Sequence, residues 1–288
     1  MSPTEEKPKR ILVNNLNDLS ASEWIKETIS VYVQKGLGAK HKDTAIERQH
    51  PAPFSYQDVG RLINFFTKDG QVVLDPFLGV GSTLKACAIN NRKGIGIELV
   101  EKYAKLSRER LRAEVSGILS NTKKQKVIYG DALKEIKKLR KDSVDFVVTS
   151  PPYWNILNKA DHKVKTTRIA KKLDTKYSEL KADLANIPDY DIFIETLSDF
   201  FIDCCRPLKP KKYICIILSD FRHKDRFYMF HADLAKKLED DGKYKLKGIK
   251  VLYQRHKKIY PYGYPYSYVP NIHHQFILVL QNMKEENE

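Results

Sequence analysis

The residues best suited to chemistry form one run, Thr149-Ser150-Pro151-Pro152-Tyr153-Trp154. The run follows residues 144–148, an apolar stretch that predicts a buried parallel strand. Because proline has a fixed φ and no backbone N–H, the chain would leave the sheet stiffly, with the carbonyls of Ser150 and Pro151 free to accept hydrogen bonds. Together with the Ser150 hydroxyl and the Tyr153 ring, these carbonyls would hold a planar amine. Alone, the run is equally compatible with a strand followed by a proline-rich turn.

A second run, upstream, has the composition of a cofactor-binding turn: Asp75-Pro76-Phe77-Leu78-Gly79-Val80-Gly81-Ser82-Thr83. It follows a short strand predicted at residues 72–75 and precedes a helix predicted at 84–91. A strand, a glycine-rich turn and a helix bring the backbone close to a cofactor at the helix N-terminus. The next predicted strand, 94–98, ends in Glu98, about twenty residues after the turn, where an acid meets a ribose diol in doubly wound sheets.

Three consecutive predicted strands therefore end in an acid. Asp75 and Glu98 are followed by Asp131, which comes just after a strand predicted at residues 126–129. Ligands in open α/β sheets bind at the carboxyl ends of the strands. Each acid alone could be a helix N-cap. Three acids in register indicate a ligand site at this edge of the sheet.

The composition bounds the class of partner. The chain has 288 residues, 51 Lys and Arg against 36 Asp and Glu, and a formal net charge of +15. Its hydrophobic fraction of 42% is enough for a packed core. The positive charge favours a polyanionic partner, nucleic acid first and an anionic membrane second, with simple solubility as the alternative.

The sequence lacks the motifs typical of disulfide-bonded, metal-binding and membrane proteins. The four cysteines show no CxxC spacing, and the histidines show neither HExxH nor a Cys/His ligand pairing. We therefore expect reduced cysteines, a cytoplasmic protein and no catalytic metal. With no signal peptide and no apolar stretch of membrane-spanning length, we expect no membrane insertion.

The periodicity predicts one domain over residues 1–288, with seven strands and an amphipathic helix at 16–36 on its flank. Two segments are candidate nucleic-acid-recognition inserts. Residues 155–187 include the cations Lys163, Lys165, Arg168, Lys171 and Lys172. Residues 254–274 combine Arg255, Lys257 and Lys258 with five tyrosines, among them Tyr262. Cations beside exposed rings suit phosphate contacts and base stacking. The alternatives are a solvated loop for the first segment and a loop packed on its own domain for the second.

The glycine-rich run and the Ser-Pro-Pro-Tyr run together resemble the S-adenosylmethionine-dependent DNA amino-methyltransferases. The similarity is greatest to the cytosine-N4 branch of restriction–modification enzymes and extends over residues 47–280. It implies an α/β fold with a doubly wound, seven-stranded mixed sheet of the Rossmann-like methyltransferase type, an antiparallel last strand, and basic insert loops. It also implies double-stranded DNA as substrate, a cognate restriction endonuclease as functional partner, and a nucleoid-associated enzyme in a prokaryote. Two positions depart from the family pattern: Ser82 stands where Thr is usual, and Gln275 where an acid is common.

The resemblance assigns roles to individual residues. The methionine end of S-adenosylmethionine would lie against His50, Pro51, Phe77, Gly79, Gly81 and Ser82, with Asp75 near its amino group. Glu98, with Leu99 beside it, would take the ribose hydroxyls, and Asp131 with Ala132 would meet the adenine. Catalysis would rest on Ser150, Pro151, Pro152 and Tyr153. Trp154 would wall the target pocket or lie in the core.

The chemistry implied is methyl transfer to an exocyclic amine. Ser150 and the Pro151 carbonyl would accept hydrogen bonds from the two N–H groups of the cytosine amine and favour a pyramidal nitrogen. Tyr153 would stack on a base that has left the duplex. Three alternatives remain open at this point. They are adenine-N6 transfer, whose branch more often has Asp or Asn at the position of Ser150, methylation of RNA or a protein amide, and a non-catalytic nucleic-acid-binding module.

Overall fold

The structure is a computed structural model that describes residues 13–34, 44–47, 49–50, 54–115, 119–154, 178 and 180–285. Ten strands lie in these ranges: β1 Val31–Val33, β2 Val72–Asp75, β3 Lys93–Glu98, β4 Gln125–Tyr129, β5 Val144–Thr149, β6 Leu208–Leu218, β7 Phe221–His223, β8 Arg226–Tyr228, β9 Tyr244–Tyr253 and β10 His274–Asn282. Eight of them form one sheet in the order β1-β9-β10-β6-β5-β2-β3-β4, and β7 and β8 form a separate hairpin.

The α-helices of the described ranges are α1 Ala21–Glu27, α2 Thr44–Glu47, α3 Tyr56–Phe66, α4 Ser82–Ile89, α5 Glu101–Glu114, α6 Leu119–Thr122, α7 Ala132–Glu135, α8 Tyr190–Asp203 and α9 Phe230–Asp240. Short 3₁₀ turns lie at Ile136–Lys138 and Leu184–Asn186. Helices cover both faces of the sheet, as in a doubly wound α/β fold.

Side chains along the central strands alternate between two hydrophobic cores, one on each face of the sheet. In β5, Val147 faces the core that contains α8 and α9, whereas Phe146 and Val148 face the core that contains α3 and part of α4. In β2, Leu74 and Val73 divide in the same way. Since successive side chains of a strand point to opposite faces, a strand buried on both sides must be apolar at nearly every position. This requirement explains why these strands appear in the sequence as continuous apolar runs.

The predicted antiparallel last strand is confirmed, because β10 runs antiparallel to both of its neighbours, β6 and β9. The other pairs in the large sheet are parallel. The carboxyl ends of β2, β3, β4 and β5 therefore meet at one edge, which is where a doubly wound sheet places its ligand.

The prediction of seven strands and of one helix over residues 16–36 is wrong. The helix α1 begins at a capping box of Ser20 and Glu23, and it ends at Glu27 with Thr28 as its C-cap. The chain then forms β1, which pairs in parallel with β9 and adds an eighth strand. Tyr32 points into the core while its neighbours are exposed, a period of two that a helix cannot produce.

Two local backbone features follow the amine motif. Residues 209–212 lie inside β6, where Lys211 takes a left-handed φ of 58°. The helix α9 begins at Phe230, because residues 221–228 form the β7–β8 hairpin. Hydrophobic periodicity does not report either feature.

Candidate active site

A cleft lies at the carboxyl ends of β2, β3, β4 and β5. Its lining residues are His50, Phe54, Pro76, Phe77, Leu78, Gly79, Val80, Ser82, Ile97, Glu98, Leu99, Val100, Tyr103, Asp131, Ala132, Leu133, Ser150, Pro152, Ala182, Asp183 and Leu184. The structure thus places parts of the glycine-rich turn, two of the three strand-end acids and part of the Ser-Pro-Pro-Tyr run around one space.

Glu98 holds the glycine-rich turn in place. Its two carboxylate oxygens accept hydrogen bonds from the backbone N–H of Gly79 at 2.7 Å and from that of Val100 at 2.8 Å. Burial raises the pKa of Glu98 to about 7, although both hydrogen bonds act in the opposite direction. Each carboxylate oxygen has a second lone pair, so the side chain can still accept hydrogen bonds from a ligand.

The two glycines of the turn have different roles. Both take a left-handed φ, 55° at Gly79 and 86° at Gly81. A Cβ at Gly79 would lie 3.3 Å from Nε2 of His50, at the wall of the cleft. A Cβ at Gly81 would instead lie 2.9 Å from the Cβ of Ser107 on α5, and Gly81 does not line the cleft. Close packing between the turn and α5 therefore requires a glycine at position 81, and its predicted cofactor contact stays a prediction.

Arg110 is a residue that supports the site and that sequence reasoning missed. Its guanidinium is fully buried and binds Glu47 at 2.8 Å, Glu114 at 2.9 Å and the hydroxyl of Ser82 at 3.0 Å. It therefore ties α2 and α4 to α5. The available signal was its position on the apolar face of α5, where an arginine needs buried acceptors.

The segment after α2 carries His50 to the cleft. The His50 ring lies edge-on against Tyr103 at a centroid distance of 4.8 Å. The fixed position of Glu47, bound to Arg110, limits where His50 can lie, since only two residues separate them. Pro51, the other residue predicted here, lies outside the described residues.

Asp75 does not line the cleft, contrary to the predicted contact with the cofactor's amino group. It is fully buried and accepts hydrogen bonds from the hydroxyls of Thr83 and Thr149 and from the backbone N–H of Phe77. Burial raises the pKa of Asp75 to about 6. The side chain thereby connects β2, α4 and β5 behind the cleft wall.

The remaining predicted cofactor residues line the cleft. Asp131 is the N-cap of α7, with Oδ1 accepting from the Leu133 N–H at 3.0 Å, and it lines the cleft together with Ala132. The N-cap and ligand interpretations of this acid are thus compatible. Phe77 packs against Phe200 at 5.0 Å while lining the cleft, and Leu99 lies next to Glu98.

The Ser-Pro-Pro-Tyr run divides between the cleft and the interior. Ser150 and Pro152 line the cleft, and Pro151 is buried. The Tyr153 ring packs edge-on against Phe230 at 6.0 Å and does not line the cleft. Its phenol oxygen accepts a hydrogen bond from Nε2 of Gln275 at 3.0 Å. The expected exposed stacking ring is therefore half-buried and fixed at its hydroxyl end.

Trp154 is a core residue, the second of the two positions that the sequence left open for it. Only 6% of it is exposed, and its Nε1–H donates to the carbonyl of Ile187 at 2.8 Å. The ring packs against Tyr190 and Tyr228, each at 5.4 Å. Trp154 instead connects the end of the amine motif to the segment that precedes α8.

The first basic insert lies largely outside the described residues, which excludes Lys163, Lys165, Arg168, Lys171 and Lys172 from structural description. Its last part belongs to the cleft, since Ala182, Asp183 and Leu184 line it. Asp183 caps the 3₁₀ turn by accepting from the Ala185 N–H at 3.0 Å. The last part of the insert predicted at 155–187 thus reaches the cleft.

The second insert forms a surface groove, here called the cationic groove. It is lined by Arg222, Lys257, Lys258, Tyr260, Tyr262, Val269, Pro270, Asn271, Ile272 and His273. Hydrogen bonds between Asn271 and the backbone of Tyr260, at 2.9 and 2.8 Å, hold its two sides together. Three tyrosines of the same loop, Tyr264, Tyr266 and Tyr268, are at least 81% exposed. A loop packed wholly on its own domain does not leave three rings in solvent. Arg255 is exposed at the start of the loop and does not line the groove.

The described ranges contain neither a metal-binding cluster nor a membrane-spanning helix. Histidine, cysteine and acidic side chains do not gather there in groups of three that could hold a metal ion. No helix in that part of the chain is both long enough and apolar enough to cross a bilayer.

Comparison with known proteins finds similarity in the N-terminal part of the chain. Residues 4–109 match the N6_N4_Mtase family, described as DNA methylase. The orphan methyltransferase M.BamHII of Bacillus amyloliquefaciens is 37% identical over 75 residues, 25% of this chain and 28% of that protein. The type II methyltransferase M.ScaI of Streptomyces caespitosus is 30% identical over 117 residues, 40% of this chain and 36% of that protein.

Among solved structures, a SAM-dependent methyltransferase of Methanosarcina mazei aligns with a TM-score of 0.49 at 15% identity, over 78% of this chain and 98% of that chain. The matched regions span 28% and 36% of the length of the two curated relatives named above. The family match includes the glycine-rich turn and Glu98 and ends before Ser150. Residues 4–109, which contain the glycine-rich turn and Glu98, are thus similar to DNA methylases.

Proposed function

We propose that this chain, whose residues 4–109 match the DNA methylase family, transfers a methyl group from S-adenosylmethionine to the exocyclic amine of a DNA base, and that this base is cytosine, methylated at N4. The observation that carries the proposal is that Ser150 and Pro152 line the same cleft as Gly79 and Glu98. An amine held by the Ser-Pro-Pro-Tyr run would therefore lie in the space that receives the cofactor.

The cleft contains groups that fit S-adenosylmethionine. Glu98, buried and held by two backbone N–H groups, keeps lone pairs for the ribose hydroxyls. Asp131 and Ala132 would lie against the adenine, and Phe77 and Gly79 against the methionine end. The left-handed φ of Gly79 and its close approach to His50 fit a backbone segment that a ligand must approach closely. When bound, the cofactor supplies an electrophilic methyl group.

The protein's contribution to the reaction would be to orient the amine. The exocyclic amine of cytosine is a weak nucleophile because its lone pair is delocalised into the ring. The Ser150 hydroxyl and the Pro151 carbonyl would accept hydrogen bonds from the two N–H groups of this amine and so favour a pyramidal nitrogen. Such contacts strengthen toward the transition state and so lower the barrier. The nitrogen would form one N–C bond to the methyl group as the bond between that methyl group and the sulfonium sulfur breaks, and it would release one proton to water, so no covalent bond to the enzyme is needed.

The choice of cytosine over adenine in this proposal depends on Ser150. A serine at this position is the pattern of the cytosine-N4 branch, whereas the adenine-N6 branch more often has Asp or Asn there. Adenine-N6 transfer is the alternative, and it would use the same cleft and the same acceptors. Within this proposal, the base identity is the part that depends on one side chain.

The cationic groove supports DNA as the substrate. Its three cations, Arg222, Lys257 and Lys258, can contact phosphates, and the neighbouring tyrosines can stack on bases. A base must leave the duplex stack to reach Ser150, at a cost of a few kcal/mol, and such surrounding contacts offset part of that cost. The proposal includes a prokaryotic nucleoid as the place of action and a cognate restriction endonuclease as functional partner.

Product analysis tests the proposal. The protein is incubated with methyl-labelled S-adenosylmethionine and, separately, with double-stranded DNA, single-stranded DNA and RNA, and the nucleosides are identified by mass. N4-methylcytosine from double-stranded DNA is the expected product. N6-methyladenine as the sole product would contradict the base assignment, and label only in RNA would contradict the substrate. No labelled nucleoside in any arm, with the cofactor bound, would support the non-catalytic alternative.

A further inference from the structure

The cleft contains an acid, Asp183, that belongs to neither motif and to none of the cofactor contacts proposed above. It lines the cleft and is only 6% exposed. Its Oδ1 accepts a hydrogen bond from the Ala185 N–H at 3.0 Å, and its Oδ2 accepts one from the Ser178 hydroxyl at 2.7 Å. Each carboxylate oxygen has a second lone pair, so Asp183 can accept further hydrogen bonds from a ligand.

Asp183 is also a buried acid without a cation beside it. Within the described part of the chain no cationic side chain forms an ion pair with Asp183, whereas Lys134 lies 4.0 Å from the carboxylate of Asp131. Burial raises the pKa of Asp183 above its usual value, although its hydrogen bonds act in the opposite direction. Because a buried charge without a partner is costly, this side chain suits a cleft that receives a cationic ligand.

The acid expected near the cofactor's ammonium group does not line the cleft. Asp75 accepts hydrogen bonds from two threonine hydroxyls behind the cleft wall. The other two acids, Glu98 and Asp131, stand at the ends of β3 and β4, where the ribose and the adenine would lie. The ammonium group of S-adenosylmethionine therefore has no acidic acceptor among these three residues.

Asp183 lies on the side of the cleft that the amine motif forms. It is the N-cap of the 3₁₀ turn Leu184–Asn186. Ile187, the C-cap of the same turn, accepts a hydrogen bond from Nε1 of Trp154 at 2.8 Å. The methionine arm of S-adenosylmethionine leaves the same sulfur as the methyl group. A methyl group directed at Ser150 therefore brings the arm to the side of the cleft where Asp183 lies.

We infer that the Asp183 carboxylate binds the α-ammonium group of the methionine arm of S-adenosylmethionine. This inference rests on the proposed function, since it takes the methyl group of the cofactor to face Ser150. The ammonium group is unchanged by methyl transfer. The contact would therefore hold S-adenosylmethionine and its product S-adenosylhomocysteine alike, and would contribute to binding rather than to the rate of transfer.

Two ligands without a transferable methyl group on a sulfonium test the contact by calorimetry. S-adenosylhomocysteine keeps the ammonium group, and methylthioadenosine keeps the nucleoside but lacks the whole amino-acid arm. Asp183→Asn retains the shape of the side chain and an oxygen for the cap, and it removes the charge. The variant should bind S-adenosylhomocysteine roughly ten- to a hundredfold more weakly, the effect of one charge-assisted hydrogen bond, and methylthioadenosine as the wild type does.

Asp131→Asn is the matched control, because Asp131 is likewise an N-cap that lines the cleft. It should weaken both ligands by the same factor, since both contain the adenine. If Asp183→Asn weakens both ligands equally, or neither, the inference is overturned. A loss of affinity for S-adenosylmethionine with none for S-adenosylhomocysteine would overturn it too, because the carboxylate would then act on the sulfonium.

A change in the ligand provides a second measurement that does not depend on how well the variant folds. The wild type should bind an analogue of S-adenosylhomocysteine in which hydrogen replaces the ammonium group roughly ten- to a hundredfold more weakly than S-adenosylhomocysteine itself. In Asp183→Asn the same replacement should cost far less, because the charged acceptor is already gone. Equal losses in the two proteins would refute the contact.

These binding measurements separate the contact from the proposed function, since none of them requires methyl transfer. If the wild type binds S-adenosylhomocysteine through Asp183 and methylates no nucleic acid, the proposed function fails while the contact stands. If the wild type methylates DNA and Asp183→Asn binds S-adenosylhomocysteine with unchanged affinity, the contact fails while the proposed function stands.

Discussion

The carboxylate of Glu98 accepts a hydrogen bond from the backbone N–H of Gly79 at 2.7 Å, so the acid that ends β3 also holds the glycine-rich turn after β2. One buried side chain thus links two adjacent strand ends at the cleft. The same contact makes the turn sensitive to the protonation of Glu98, because only the carboxylate offers all of its lone pairs as acceptors.

Cofactor affinity should depend on pH through Glu98. Burial raises the pKa of Glu98 to about 7 in the free protein, and hydrogen bonds from the ribose hydroxyls would favour the carboxylate. Binding should therefore release a proton below about pH 7, and the affinity should increase as the pH rises through that value and then level off. Calorimetry over this range checks the dependence.

The matched variant for this prediction is Glu98→Gln, which keeps the shape of the side chain and removes the titration. It should bind S-adenosylmethionine more weakly by about 1.5–3 kcal/mol at high pH, with a much flatter pH profile. An unchanged profile in Glu98→Gln would assign the titration to another group.

Gly81→Ala should act on packing rather than on the cofactor contact. The new Cβ would lie 2.9 Å from the Cβ of Ser107, and the left-handed φ of 86° adds backbone strain. We expect a loss of about 1–3 kcal/mol in the free energy of unfolding. Ser107→Gly in the same chain should relieve the clash and restore part of the loss. A Gly81→Ala protein of normal stability that fails to bind the cofactor would contradict this role.

The cationic groove should determine the salt dependence of DNA binding. Replacing Arg222, Lys257 and Lys258 by Gln should make the slope of log affinity against log salt concentration shallower by about 2 to 3. Tyr266→Ala, which removes a ring that is 93% exposed, should instead weaken binding by about 1–3 kcal/mol with the slope unchanged. If the triple variant keeps the wild-type slope, the phosphate contacts lie elsewhere on the chain.

Much of the cleft was predictable because its residues follow strand ends. Glu98, Asp131 and Ser150 could be placed at one edge because apolar runs mark the strands and parallel strands share their carboxyl edge. Asp75 satisfies the same rule, yet its carboxylate faces inward toward two threonine hydroxyls. The sequence pattern places a residue at a strand end, and the packing of its neighbours decides which way the side chain points.

The features that were missed depend on contacts between distant parts of the chain. The strand β1 exists because β9 offers an edge more than 200 residues later, with Val31 paired to Val251. Tyr153 was expected to stack on a base, and Trp154 was expected either to wall the target pocket or to lie in the core. The structure fixes them through Gln275 and Ile187, neither of which is adjacent in sequence. Tertiary partners of this kind override local pattern.

The central claim is that Ser150 accepts a hydrogen bond from the target amine. Ser150→Ala in single-turnover methylation of double-stranded DNA tests it most directly. The variant removes one acceptor while leaving Glu98, Gly79 and the Tyr153 ring in place. The rate of methyl transfer should fall by roughly a hundredfold, the loss typical of one preorganised transition-state contact. The affinities for S-adenosylmethionine and DNA should stay near the wild-type values, because the contact strengthens only as the nitrogen becomes pyramidal. A Ser150→Ala protein that methylates at the wild-type rate would contradict the claim.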